Sequence, residues 1–115
     1  MKKVYIAGSY SSDNVLDILD NIRKGIRAGT EVLLAGFSPY IPWLDYNIFL
    51  QLRDDEQISV SDIQEHSLAW LEVSDAVLVL PDYENSKGTL AEIKRAGELG
   101  IPVYYNLEDL KSEVI

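Results

Sequence analysis

Four short apolar runs punctuate the chain: Lys3 to Ala7, Phe37 to Ile41, Ala76 to Leu80 and Ile101 to Tyr105. Between them lie longer stretches whose apolar residues recur at three- and four-residue steps. The pattern predicts strand, helix, strand, helix, strand, helix, strand, which is a parallel sheet covered by helices, a three-layer α/β sandwich. The third run is apolar at every position, as a central strand buried on both faces must be. The second contains Pro39 and is bounded by Pro42, which suits an edge. Those two compositions predict the strand order 2-1-3-4, all parallel, with any extra strand at the far edge.

The helical stretches carry their own signals. Asp13 or a preceding serine is placed to cap a helix from Val15 to Leu34, with Val15, Leu19, Ile22, Ile26 and Leu33 as its buried stripe and Gly36 as its stop. Gly25 and Gly29 each cost such a helix about 1 kcal/mol relative to alanine, so they mark a place where another backbone packs closely. Ser59 or Ser61 caps a second helix, running through Ile63, Leu68, Trp70 and Leu71 to Ser74. A third spans Gly88 to Leu99 through Leu90, Ile93 and Ala96, ends at Gly100, and is followed by a short terminal helix from Leu107. Trp43 to Gln57 reads less cleanly. Its aromatic residues among charges fit a short amphipathic core helix, the favoured reading, or an aromatic lid over a ligand.

With 115 residues the chain makes one domain, 1–115, able to bury a single core. Nineteen Asp and Glu against ten Lys and Arg leave a net charge of -9, which disfavours a nucleic-acid polymer as partner. A single bound phosphate is still allowed, because helix N-termini and backbone amides hold one locally. No cysteine and one histidine, His66, exclude a disulfide framework, a thiol nucleophile and a multi-histidine metal site. The opening Met-Lys-Lys-Val-Tyr-Ile-Ala is too short for a signal peptide or a membrane span, so the expected setting is the cytoplasm, with no membrane partner.

In an open parallel sheet of flavodoxin or Rossmann type, the ligand lies beyond the carboxyl ends of the first and third strands. Two loops fall there: Gly8, Ser9, Tyr10, Ser11, Ser12, and Asp82 to Thr89. Neither holds a complete GxGxxG or P-loop pattern, so no large cofactor is expected. Ser86, Lys87, Gly88 and Thr89 stand at a helix mouth, where free amides and the dipole attract an anion and Gly88 allows close approach. The same Ser86 can simply cap the helix. Glu92, one turn further, points to chemistry beside that anion, although a lone glutamate is more commonly a solvated helix residue.

The ordered set Val4-Tyr5-Ile6-Ala7-Gly8-Ser9, Ser74-Asp75-Ala76 through Pro81, and Glu84-Asn85-Ser86-Lys87-Gly88-Thr89-Leu90-Ala91-Glu92 resembles the nucleoside 2-deoxyribosyltransferase superfamily. It is most similar to small bacterial and phage members of unknown function and to the 2'-deoxynucleoside 5'-monophosphate N-glycosidases. The resemblance covers nearly the whole chain and is weakest over Trp43 to Gln57. It implies that Glu92 is a nucleophile acting on the N-glycosidic bond and that Tyr5 orients it. Ser9 and Ser86 would hold a 5'-phosphate, where the transferases carry an aspartate in place of Ser86. Gly8, Tyr10, Asp82, Gly88 and Asn106 complete the implied substrate site. The ligand is then a small nucleotide and no cofactor is needed. One position departs: the hydrolases have an aspartate just before the Leu-x-Trp-Leu stretch, and here that residue is Ser67. His66, Glu65, Asp62 and Asp82 are the nearby candidates to replace it, with His66 a compensating acid. Three functions stand: a nucleoside monophosphate N-glycosidase first, a nucleotide-binding module without catalysis second, and a deoxyribosyltransferase third. The notched helix and the resemblance together imply a homodimer or homotetramer, with Asn106 approaching a neighbouring subunit's site.

Overall fold

A computed structural model describes residues 1–114. The sheet has four parallel strands in the order β2-β1-β3-β4, from β1 (Lys3–Ala7), β2 (Ser38–Tyr40), β3 (Ala76–Val79) and β4 (Val103–Tyr104). The proline-bearing strand is at one edge and the wholly apolar one in the middle, as their compositions require. Val77 and Val79 are fully covered, and among the described residues no strand is added beyond β4. In β1, Tyr5 lies beside Tyr40 on one side and Val77 on the other.

Because strand side chains alternate faces, the sheet divides the interior into two layers. Val4, Ile6, Ala76 and Leu78 pack with Val32, Phe37, Trp43 and Leu110, on the side of helices α1 (Val15–Leu34) and α4 (Leu107–Val114). Tyr5, Ala7, Val77 and Val79 pack with Leu71 and Ala96, on the side of α2 (Val60–Leu71) and α3 (Lys87–Leu99). Among the described residues no helix is long and apolar enough to cross a membrane.

The helix ends follow their caps. Ser59 caps α2 in a reciprocal box with Asp62, and Gly100 ends α3 in the left-handed region that glycine enters freely. For α1 the capping residue is Asn14, whose Oδ1 accepts from the Leu16 N–H at 2.7 Å. Asp13 and the serines before it stay outside.

The face of α1 differs from the one the apolar periodicity marks. Val15, Leu19, Ile26 and Leu33 are exposed, while Gly25, Gly29 and Val32 are buried. The glycines receive side chains from this same chain, the Trp43 indole at Gly25 and Ile41 at Gly29. Their notch is therefore filled by side chains of this chain, where the sequence pointed to a close backbone neighbour. Trp70, Leu90 and Leu99 are likewise exposed rather than core. Trp70 lies with its ring stacked on Tyr40.

Trp43 to Gln57 is not an α-helix. Pro42–Gln51 winds as 3-10 turns. Trp43 is buried, 4% exposed, and its Nε1 donates to the Ser9 carbonyl at 3.1 Å. Tyr46, one turn on, stacks face to face on Tyr10, centroids 4.0 Å apart and planes 3° from parallel.

Candidate active site

Tyr5 leaves the sheet on the α3 side, and α3 returns Glu92 toward it. The Tyr5 hydroxyl donates to Oε2 of Glu92, joining groups 87 positions apart in sequence. Burial pushes the Glu92 carboxyl from 4.5 up to about 7, and the hydrogen bond from Tyr5, which favours the charged form, only partly opposes this. Burial also drives the Tyr5 phenol well above its ordinary range, with the Glu92 charge adding to the shift. Tyr5 therefore remains a donor at any working pH.

The pair lies on the wall of a cleft of about 1020 Å³, at the upper end of ligand-pocket sizes. The cleft opens at the carboxyl ends of β1 and β3, where a parallel sheet of this topology binds ligands. Gly8, Ser9 and Tyr10 line it after β1, and Ser86 and Gly88 line it at the mouth of α3. Ser86 is the α3 cap: its Oγ accepts from the Thr89 N–H at 3.3 Å and pairs with the Thr89 hydroxyl at 2.8 Å. Capping and cleft lining coincide in one side chain. A Cβ on Gly88 would meet nothing within 4 Å, so the helix mouth is open there; one on Gly8 would press on Trp43 and Leu80 at 3.0 and 3.1 Å. Gly8 thus serves close packing behind the cleft wall.

Two of the expected residues lie outside the cleft lining. Asp82 is exposed, with a left-handed φ of 65°, and it meets the site only through its carbonyl, which accepts from Ser9 Oγ at 3.4 Å. Asn106 caps α4, its Oδ1 accepting from the Asp109 N–H at 2.8 Å. With the α1 glycines facing inward, a shared site between subunits rests on the resemblance alone.

The sequence reading missed Asp45. Its carboxylate, 13% exposed, accepts the Ser67 hydroxyl at 2.7 Å and the Tyr40 hydroxyl at 2.6 Å, both on Oδ2. His66 Nε2 lies 3.2 Å from the Tyr40 oxygen and 3.8 Å from Asp45 Oδ1. Tyr40 stacks on Tyr5 at 5.6 Å between centroids, so this polar group adjoins the Tyr5–Glu92 pair. The carboxylate that meets residue 67 thus comes from the 3-10 segment. Of the groups weighed as replacements, Asp62 holds the α2 cap, His66 joins the Asp45 group and Glu65 lines the cleft wall. No sequence periodicity marked Asp45, because 3-10 turns break the α-helical spacing. Among the described residues, no three His, Asp or Glu side chains gather as a metal site.

Residues 2–106 match the sequence model of a domain of unknown function, DUF7768, and the chain belongs to that family. No curated protein matches the sequence. Among solved structures, the 2-deoxyribosyltransferase of the psychrotolerant bacterium Bacillus psychrosaccharolyticus shares the fold. Its TM-score is 0.61 at 19% identity, over 88% of this chain and 69% of that one. That enzyme is described as a biocatalyst for making antiviral and antitumoral nucleosides. The α/β arrangement with strand order 2-1-3-4 is the deoxyribosyltransferase fold.

Proposed function

We propose that this member of the DUF7768 family is an N-glycosidase that hydrolyses the base–sugar bond of a nucleoside or deoxynucleoside 5'-monophosphate, with Glu92 as nucleophile. The observation that carries the reading is the half-buried Tyr5–Glu92 pair on the wall of a cleft that also takes in the N-terminus of α3. Tyr5 holds Oε2, leaving Oε1 of Glu92 free to attack the anomeric carbon as the bond to the base breaks. The base departs with that bond's electron pair and takes a proton from solvent or a neighbouring acid. Water then cleaves the glycosyl ester, restoring the carboxylate and releasing the sugar phosphate. The 5'-phosphate would lie at the mouth of α3 near Ser9, Ser86 and the open side of Gly88, where amides and the helix dipole favour an anion.

The decisive experiment incubates the purified protein with a panel of nucleoside 5'-monophosphates and follows free base by chromatography. Base release by the native protein and none by Glu92→Gln is the expected result. Binding without release overturns the hydrolase in favour of a binding module. Release only when an acceptor base is supplied indicates a transferase instead.

Ser86→Asp tests the phosphate placement separately. Aspartate caps a helix about as well as serine, so the fold should hold. Yet two like charges about 4 Å apart repel by roughly 4 kcal/mol at an effective dielectric near 20. Calorimetry should show monophosphate affinity falling by about a hundredfold or more, with the free nucleoside unaffected. Equal affinity of variant and native protein for the monophosphate would remove the phosphate from Ser86.

A further inference from the structure

An ionised carboxylate can only accept hydrogen bonds, and a hydroxyl has a single hydrogen to give. Asp45 Oδ2 stands 2.7 Å from Ser67 Oγ and 2.6 Å from the Tyr40 oxygen, so both hydroxyl hydrogens are committed to Asp45. Two consequences follow from that count. At Tyr40 the oxygen has only lone pairs left for His66, so His66 Nε2, 3.2 Å away, carries the hydrogen and donates. At Ser67, 6% exposed and lining the cleft, the oxygen can present only lone pairs to whatever occupies the cleft.

We propose that Ser67 is a specificity-determining residue that selects ligands carrying a hydrogen-bond donor, and that Asp45 is the positioning residue that makes it an obligate acceptor. The inference rests on the nucleotide reading above and adds the ligand chemistry read at this wall. Adenosine 5'-monophosphate offers two kinds of donor, a sugar hydroxyl and an amino group on the base. Tyr40 binds the same Asp45 oxygen as Ser67 and stacks on Tyr5, the partner of Glu92, which puts Ser67 on the wall next to the reacting sugar. A sugar hydroxyl is the favoured donor. An ordinary serine hydroxyl would rotate and tolerate acceptor or donor alike. Here rotation would leave a carboxylate only 13% exposed short of a partner, which is costly.

The test is calorimetric binding in a Glu92→Gln background, so that no ligand is consumed. Adenosine 5'-monophosphate is compared with its 2'-deoxy, 3'-deoxy and 2',3'-dideoxy forms, and with purine riboside 5'-monophosphate, which lacks the base amine. Each ligand that lacks the donor Ser67 reads should bind roughly tenfold or more weaker, one monodeoxy form and the dideoxy form together if it is a sugar hydroxyl or the purine riboside alone if it is the amine, since the unmatched acceptor stays unpaired. Loss on removing a sugar hydroxyl identifies the sugar, and loss on removing the amine identifies the base. Ser67→Ala should abolish the preference. Asp45→Ala should also abolish it while Ser67 remains, because the freed hydroxyl can turn to the cleft. Asp45→Asn should keep it, since the amide oxygen can take the place of Oδ2 and accept both hydroxyls. A merely structural Asp45 would change all affinities together and leave their ratios alone. If Asp45→Ala fails to fold, Ser67→Ala still decides, because a preference that survives in it overturns the proposal. Equal binding of all ligands by the parent overturns the proposal and leaves the N-glycosidase standing, whereas no nucleotide binding at all overturns both.

Discussion

Glu92→Gln should make the protein more stable above neutral pH while removing its chemistry. In the fold the Glu92 carboxyl titrates at about 7 instead of 4.5 because burial disfavours its charged form. A carboxyl whose native value is raised weakens the fold as it ionises. The cost is absent below about 4.5, grows between 4.5 and 7, and is complete above 7. At about 1.4 kcal/mol per unit, it amounts to about 3 kcal/mol. Glutamine does not ionise, and its carbonyl can still accept from Tyr5. Urea unfolding of both proteins at pH 4 and pH 8.5 should give nearly equal stabilities at the first and a gap approaching that size at the second. A gap that does not widen with pH would mean that Glu92 is an ordinary solvated carboxylate. Under the proposed mechanism base release should rise with pH through the same midpoint near 7, since that mechanism needs the ionised carboxylate. Tyr5→Phe should move that midpoint upward, because the hydrogen bond it removes is what holds the carboxyl down. Retaining so costly a group is understandable at a reaction centre and hard to explain elsewhere.

The parts legible in the sequence are those whose signal is local. The unbroken apolar run of β3, the prolines flanking β2 and the glycine after α3 each state their place without reference to anything distant. The places of Ser86 at the start of α3 and of Glu92 inside it were legible for the same reason. The joining of Tyr5 to Glu92 is implied by resemblance alone, since no local pattern links positions whose side chains meet across the fold. The buried face of α1 was illegible because apolar periodicity counts large side chains. Gly25 and Gly29 contribute none, yet they are what the core receives, while Val15, Leu19, Ile26 and Leu33, which the periodicity points inward, are exposed. Asp45 was hidden twice over. It lies in 3-10 turns, where residues three apart share a face, so a search for α-helical spacing finds no stripe. Its meaning also depends on Ser67, which α2 delivers from 22 positions away.

The paired effect of Gly25→Ala and Gly97→Ala measures that hidden packing directly. Both glycines lie inside helices, where alanine is better by about 1 kcal/mol on propensity alone. At Gly97 in α3 an added Cβ meets nothing within 4 Å, so the variant should be more stable by about that amount. At Gly25 the Cβ would overlap ring atoms Cδ2 and Cε3 of Trp43, a side chain only 4% exposed and held by its bond to the Ser9 carbonyl. Overpacking of a rigid ring costs about 1–3 kcal/mol or more, enough to exceed the propensity gain. Thermal unfolding should therefore move in opposite directions for the two substitutions. The damage at Gly25 should also reach the cleft, because a displaced indole releases Ser9 and disturbs the Tyr10–Tyr46 stack beside it. Nucleotide affinity is expected to fall in Gly25→Ala and to stay unchanged in Gly97→Ala. Stabilisation by both alanines would show that the Trp43 ring yields freely, and that the segment after β2 is a loose cover instead of the rigid link between core and cleft.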